Sequence, residues 1–133
     1  MNLGIVVQAR MGSTRLPGKV LMFLDGKTLL DHILERVMLL KSKHKIIIAT
    51  TKKKRDNLIS EWCIARKILC FRGEEKDVLR RYYMCAKKYK FNNIVRLTAD
   101  NPLLDPRELD NLINLHIINN YDYSNSFGQL PIG

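Results

Sequence analysis

Apolar positions along the chain fall into two rhythms that alternate. Residues 3–7, 45–50, 68–71 and 93–97 are short runs rich in β-branched residues, each the length of a buried strand. Between them, apolar residues recur at helical spacing. Leu30, Ile33, Leu34, Val37 and Met38 form one stripe, and Leu58, Ile59, Trp62 and Cys63 a second. Leu79, Tyr82, Tyr83, Ala86 and Tyr89 form a third, and Leu109, Leu112, Ile113, His116 and Ile117 a fourth. His116 stands alone on its stripe and reads as a packed histidine. Residues 121–125 have the composition to begin a fifth strand.

The punctuation agrees with this division. Thr28 followed by Asp31 predicts a capping box, and Asp77 predicts a cap for the third helix. Asp105-Pro106-Arg107-Glu108 sets an Asp cap, a Pro at the first helical position and a Glu at the third. Strands alternating with amphipathic helices predict an α/β domain over 1–133: a mostly parallel sheet with helices on both faces. Right-handed crossovers put the C-terminal strand ends on one edge, where such folds bind ligands.

The chemistry gathers where the first strand stops. Arg10-Met11-Gly12-Ser13-Thr14-Arg15-Leu16-Pro17-Gly18-Lys19 carries three cations, two hydroxyls and two glycines. Cations, hydroxyl donors and glycine-freed amides leaving a buried strand suit a polyphosphate. The loop is not a Walker A, since five residues separate Gly12 from Gly18 and Val20 follows Lys19. The dinucleotide fingerprint is absent as well. A polyphosphate calls for Mg²⁺ and a carboxylate. Asp100, just past the fourth strand, is the best placed, although an Asp there can also cap a turn.

Composition narrows the partners. With 46% hydrophobic and 27% charged residues the chain is ordinary for a globular protein, but its net charge of +10 favours an anionic partner. The run Lys52-Lys53-Lys54-Arg55 reads as a solvated face. Arg80-Arg81-Tyr82-Tyr83 and Lys87-Lys88-Tyr89-Lys90 interleave cations with aromatics, as a nucleic-acid surface does. Helical spacing assigns the tyrosines to the core instead, so no nucleic-acid partner is expected. No apolar run approaches the ~18 residues of a membrane span, so no membrane partner is expected either. Cys63, Cys70 and Cys85 form no CxxC pair, which argues against a disulfide framework or zinc site and for a cytoplasmic location.

The segment 10–19 resembles the signature of the sugar cytidylyltransferases, among them the CMP-3-deoxy-manno-octulosonate and CMP-sialic acid synthetases, and most of all the spore-coat polysaccharide biosynthesis protein F type. Arg96-Leu97-Thr98-Ala99-Asp100-Asn101-Pro102-Leu103 resembles the family's second motif, whose Asp binds the catalytic Mg²⁺. Arg72-Gly73-Glu74-Glu75-Lys76-Asp77-Val78-Leu79 resembles a third, near the nucleotide in relatives. The resemblance implies the nucleotide-diphospho-sugar transferase fold, with first and fourth strands adjacent. It also implies transfer of CMP from CTP to a sugar acid or related sugar, with pyrophosphate leaving, in surface polysaccharide or glycan biosynthesis.

The expected roles follow. Arg10, Arg15 and Lys19 take the triphosphate, Lys19 facing the leaving β/γ portion. Ser13 and the amides near Gly12 hold phosphate or base, with Ala9 and Thr98 flanking the nucleotide, and Asp100 holds Mg²⁺. Relatives are longer. The expectation is therefore an N-terminal nucleotide-binding half, lacking the segment that forms a homodimer in the full-length family, and residues 129–133 resemble the lead-in to a Pro-x-Gly-x-Asp stretch. The alternatives are a non-catalytic CTP-binding module and a glycosyltransferase of related fold. The second would carry an Asp-x-Asp motif, to which Asp122-Tyr123-Ser124 is the nearest approach.

Overall fold

The computed structural model describes residues 2–12, 17–99 and 104–119. Ser13, Arg15, Asp100 and the proposed fifth strand at 121–125 lie outside the described residues, as do 129–133. Four strands form one parallel sheet; from one edge to the other they are the third, second, first and fourth of the four in chain order. They are β1 (Leu3–Gln8), β4 (Lys45–Thr51), β5 (Leu69–Gly73) and β6 (Asn93–Thr98). The expected pairing of first and fourth strands is present: β1 runs beside β6 from Leu3↔Asn93 to Gln8↔Thr98. On its other side β1 pairs with β4, from Gly4↔Lys45 to Gln8↔Ala49. Central position explains why β1 is continuously apolar, since a parallel strand with helices above and below has no solvent face.

The third strand is shifted from its expected 68–71, because Arg72 and Gly73 continue the ladder opposite Thr50 and Thr51. A two-stranded hairpin, β2 (Phe23–Leu24) and β3 (Lys27–Thr28), is an addition the apolar pattern does not predict. Strands of two residues carry no period. Its turn does carry a signal, Asp25-Gly26, and both residues have positive φ (53° and 82°) as a tight hairpin of this type demands.

Helices cover the sheet unevenly. One face carries α1 (Leu29–Met38), α2 (Asn57–Ala65) and α4 (Pro106–Asn119), whose Leu30, Ile33, Ile59, Trp62, Leu109 and Ile113 pack with Ile5, Val7 and Ile48. The opposite face carries α3 (Val78–Tyr89), where Tyr82 and Cys85 meet Val6, Ile47 and Ala49. There Gly4 lies so close beneath the Phe91 ring that an added Cβ would overlap it.

The predicted caps are in place. The Thr28 hydroxyl accepts from Asp31 N at 3.0 Å while Asp31 accepts from Thr28 N at 3.1 Å. Asp77 accepts from Arg80 N at 2.9 Å, and Asp105 from Arg107 N at 2.9 Å. Four residues assigned to buried stripes are exposed: Met38, Leu58, Leu79 and Tyr83. Met38 ends its helix, and Leu29 at the other end is buried in its place. Ile59, Trp62 and Cys63 already fill the i, i+3, i+4 face of α2, leaving Leu58 one step off it. On α3 the buried set is Arg81, Tyr82 and Cys85, so the face is rotated by about one residue from the expected one.

Candidate active site

The C-terminal edge of the sheet is where the expected residues converge. Beyond the ladder, Ala9 N donates to Ala49 O and Ala99 N donates to Gln8 O, both at 3.0 Å. Ala9 and Ala99 are buried, so the chain leaves β1 and β6 side by side, with Arg10 and Asp100 as the next residues in sequence. The loop after β1 closes on itself, since Gly18 N donates to Met11 O at 2.9 Å. Gly18, at φ 75°, then starts a 3₁₀ turn over Lys19–Leu21. Val20 in that turn joins the core cluster of Ala9, Ala99, Leu30 and Ile33. Lys19 is thereby pinned by its buried neighbour near the ends of β1 and β6.

Thr98 is exposed at the end of β6, beside a cleft of about 200 Å³ lined by Ile33, Arg96, Leu97, Thr98 and Leu104. Arg10 is exposed and Lys19 half-buried, and neither side chain makes an ion pair or hydrogen bond among the described residues. Of the sequence-predicted set, Ala9, Arg10, Gly12, Lys19 and Thr98 therefore sit on this edge; Ser13, Arg15 and Asp100 are outside the described residues.

The neighbouring strand ends hold Asp56, which the sequence did not single out, and arginines from the segments 52–55, 72–79 and 80–83. Asp56 is fully buried; it accepts from Met11 N at 2.8 Å and from the Thr51 hydroxyl, tying the β1 loop to the end of β4. Arg72 donates from Nε to Thr51 O (2.8 Å), from Nη1 to Asn57 Oδ1 (2.8 Å) and from Nη2 to Lys53 O (2.9 Å). Arg55 pairs with Glu75 and lies against Gly12, where a Cβ would overlap its guanidinium. It nevertheless stays exposed, like Lys52, Lys53 and Lys54, as the basic run predicts.

Arg81 is 2% exposed, and its Nη1 donates to Glu74 O (2.6 Å) and Glu75 O (2.8 Å). Burial, and then the like charge of Arg10, hold its pKa below the usual arginine range. Asp56 has one sequence signal, its place just ahead of α2 where it reads as a cap. The carboxylate makes no cap bond and turns back to β1 instead.

For a metal, the described donor set is thin. No group of three His, Cys, Asp or Glu among the described residues is arranged to hold one, and Asp56 is already engaged. No helix among the described residues is long and apolar enough to cross a membrane.

A mostly parallel sheet whose first and fourth strands release a glycine- and cation-bearing loop and a Thr-Ala-Asp segment at one edge defines the nucleotide-diphospho-sugar transferase fold. The chain belongs to the cytidylyltransferase family, whose sequence profile matches residues 4–132. Among curated relatives, the spore coat polysaccharide biosynthesis protein SpsF of Bacillus subtilis (strain 168) is 42% identical over 123 residues, 90% of this chain and 51% of that protein. A solved cytidylyltransferase from Leptospira borgpetersenii superposes with a TM-score of 0.84 at 39% identity, over 90% of this chain and 50% of the other. The CMP:2-keto-3-deoxy-manno-octonic acid synthetase complexed with CTP shares the fold, with a TM-score of 0.77 at 23% identity, over 90% of this chain and 49% of that one. The chain spans about half the length of the curated relatives it matches.

Proposed function

We propose that this chain is the nucleotide-binding domain of a cytidylyltransferase that moves CMP from CTP to a sugar acid or related sugar and releases pyrophosphate. The reading rests on one observation. Arg10 and Lys19, cations bonded to nothing among the described residues, stand at the one edge of the sheet where β1 and β6 end together. Family membership supplies the nucleotide. The names of the relatives, spore-coat polysaccharide and octulosonate cytidylyltransferases, supply the sugar class and a role in surface polysaccharide or glycan synthesis.

In this reading a sugar hydroxyl oxygen attacks the α-phosphorus, the α–β phosphoanhydride bond breaks and pyrophosphate departs. Positioning and charge neutralisation carry such transfers. Arg10, Arg15 and Lys19 hold the triphosphate, Lys19 against the departing β/γ portion. Ser13 and the amides near Gly12 hold phosphate or base, with Ala9 and Thr98 flanking the nucleotide. Asp100 would hold Mg²⁺, which when bound adds positive charge beside the phosphate oxygens. A cytoplasmic location goes with a nucleoside-triphosphate substrate.

The first test is a thermal-shift screen of CTP, UTP, ATP and GTP with Mg²⁺. A native-state ligand raises the melting point by mass action, and CTP is expected to raise it most. No shift with any of the four contradicts the reading. Adding a ulosonic acid and assaying pyrophosphate then separates transfer from binding. Because the chain covers about half of its relatives, a CTP-binding module without transfer activity is the second reading. CTP binding without pyrophosphate release favours it.

A further inference from the structure

Asp56 is used in a way that its place in the chain does not call for. It precedes α2, where an aspartate ordinarily caps the helix, yet it makes no cap bond. Its carboxylate is fully buried and accepts instead from Met11 N at 2.8 Å and from the Thr51 hydroxyl. The Thr51 oxygen accepts in turn from Lys53 N at 3.1 Å, which holds the carboxylate from the β4 side. Burying a carboxylate is costly, so the position forgoes a cap and takes on desolvation in order to reach Met11. Local rules broken without a local gain mark functional sites.

Met11 is the residue on which the β1 loop closes. Its carbonyl accepts from Gly18 N at 2.9 Å, and its side chain packs against the larger core cluster. Arg10 precedes it and Gly12 follows it. Fixing Met11 N therefore fixes how Arg10 leaves β1 and where the Gly12 amide stands. Arg55, from the same 3₁₀ turn as Asp56 (Lys54–Asp56), lies against Gly12. The turn thus holds the loop at two successive residues, Met11 through Asp56 and Gly12 through Arg55. Resting on the CTP reading above, we propose that Asp56 is a positioning residue for the triphosphate, setting the phosphate-binding loop through its bond to Met11 N. Both carboxylate oxygens are engaged and dry, so the ligand meets the loop and not the carboxylate. The bond, not the charge, is the operative property. An asparagine offers the same oxygen to Met11 N and turns its amide to the Thr51 oxygen.

The test is the affinity of wild type, Asp56→Ala and Asp56→Asn for CTP and for inorganic tripolyphosphate, each with Mg²⁺, well below all three melting temperatures. Amide exchange at residues 10–12 is followed in the same proteins without ligand. Asp56→Ala is expected to lose roughly tenfold to a hundredfold for both ligands, the scale of a contact displaced by about 1 Å. Its Met11 amide exchanges faster, while Asp56→Asn stays within about threefold of wild type on both counts. Wild-type affinity in folded Asp56→Ala overturns the proposal. Equal losses in the two variants overturn it too, since the charge and not the bond would then be responsible. Should Asp56→Ala not fold, wild type still decides: its Met11 amide is expected to exchange slowly before any ligand is added, and exchange as fast as an exposed amide overturns the proposal. Wild type that binds tripolyphosphate but no CTP overturns the CTP reading and leaves the role of Asp56 standing. Binding of neither overturns both.

Discussion

Arg72 and Arg10 stand at the C-terminal ends of the same sheet and are used in opposite ways. Arg72 spends Nε, Nη1 and Nη2 on Thr51 O, Asn57 Oδ1 and Lys53 O, and so fixes the loop after β4. Arg10 and Lys19, on the loop after β1, are bonded to nothing among the described residues. One end of the edge is closed by its own hydrogen bonds, with Asp56 buried at its centre. The other end keeps its positive charge available. Since an arginine side chain can satisfy up to five donors from its own fold, cations left unspent beside cations fully spent mark the region that meets an anion.

The closed end should break first in a stability measurement. Asp56→Ala leaves Met11 N and the Thr51 hydroxyl without their acceptor, and urea unfolding is expected to show a loss of about 2–4 kcal/mol. A loss indistinguishable from zero would mean that the carboxylate does not join the two loops. Two glycines extend the contrast. Gly4→Ala drives a Cβ into the Phe91 ring in the core and is expected to cost about 1–3 kcal/mol. Gly12→Ala meets only the movable tip of Arg55 and is expected to stay within about 0.5 kcal/mol, while disturbing nucleotide binding. Equal destabilisation by the two would remove the distinction between a packed core and an open loop.

A smaller effect lies in acid, away from both ends. Burial works against the charge on Asp31, but hydrogen bonds from Thr28 and Arg66 outweigh it and hold its pKa below 3.8. Asp110 behaves alike: burial is outweighed by bonds from Lys41 N, Ser42 N and the Ser42 hydroxyl. For a depressed carboxylate the stabilisation is complete above the unfolded pKa and fades as pH falls through the folded one. Melting temperature is therefore expected to fall below about pH 4. Asp31→Asn should flatten part of that slope, and a slope identical to wild type would discount the capping box as its source.

Much of the open end was legible in the sequence and most of the closed end was not. Helix caps at Thr28, Asp77 and Asp105 are local devices, so three-residue spacing reveals them. The loop from Arg10 to Lys19 announces itself because glycines, hydroxyls and cations crowd together after a buried strand. Asp56 gives no such sign, and Arg72 and Arg81, though they fall in segments the sequence marks, give no sign of their partners, because these lie on other loops and a sequence does not show which strand ends will meet. Arg81 was hidden further by polarity. A cation on a helix reads as solvated, and only the close approach of Gly73 and the carbonyls of Glu74 and Glu75 makes room for it inside.

The most direct trial of this division is the affinity of Lys19→Ala and Arg72→Ala for CTP with Mg²⁺, read beside their melting temperatures. Lys19→Ala is expected to lose roughly tenfold to a hundredfold in affinity at an unchanged melting temperature, the worth of one charge-assisted contact. Arg72→Ala is expected to melt lower. A Lys19→Ala chain that binds CTP as tightly as wild type would contradict the claim that the unspent cations are the nucleotide's.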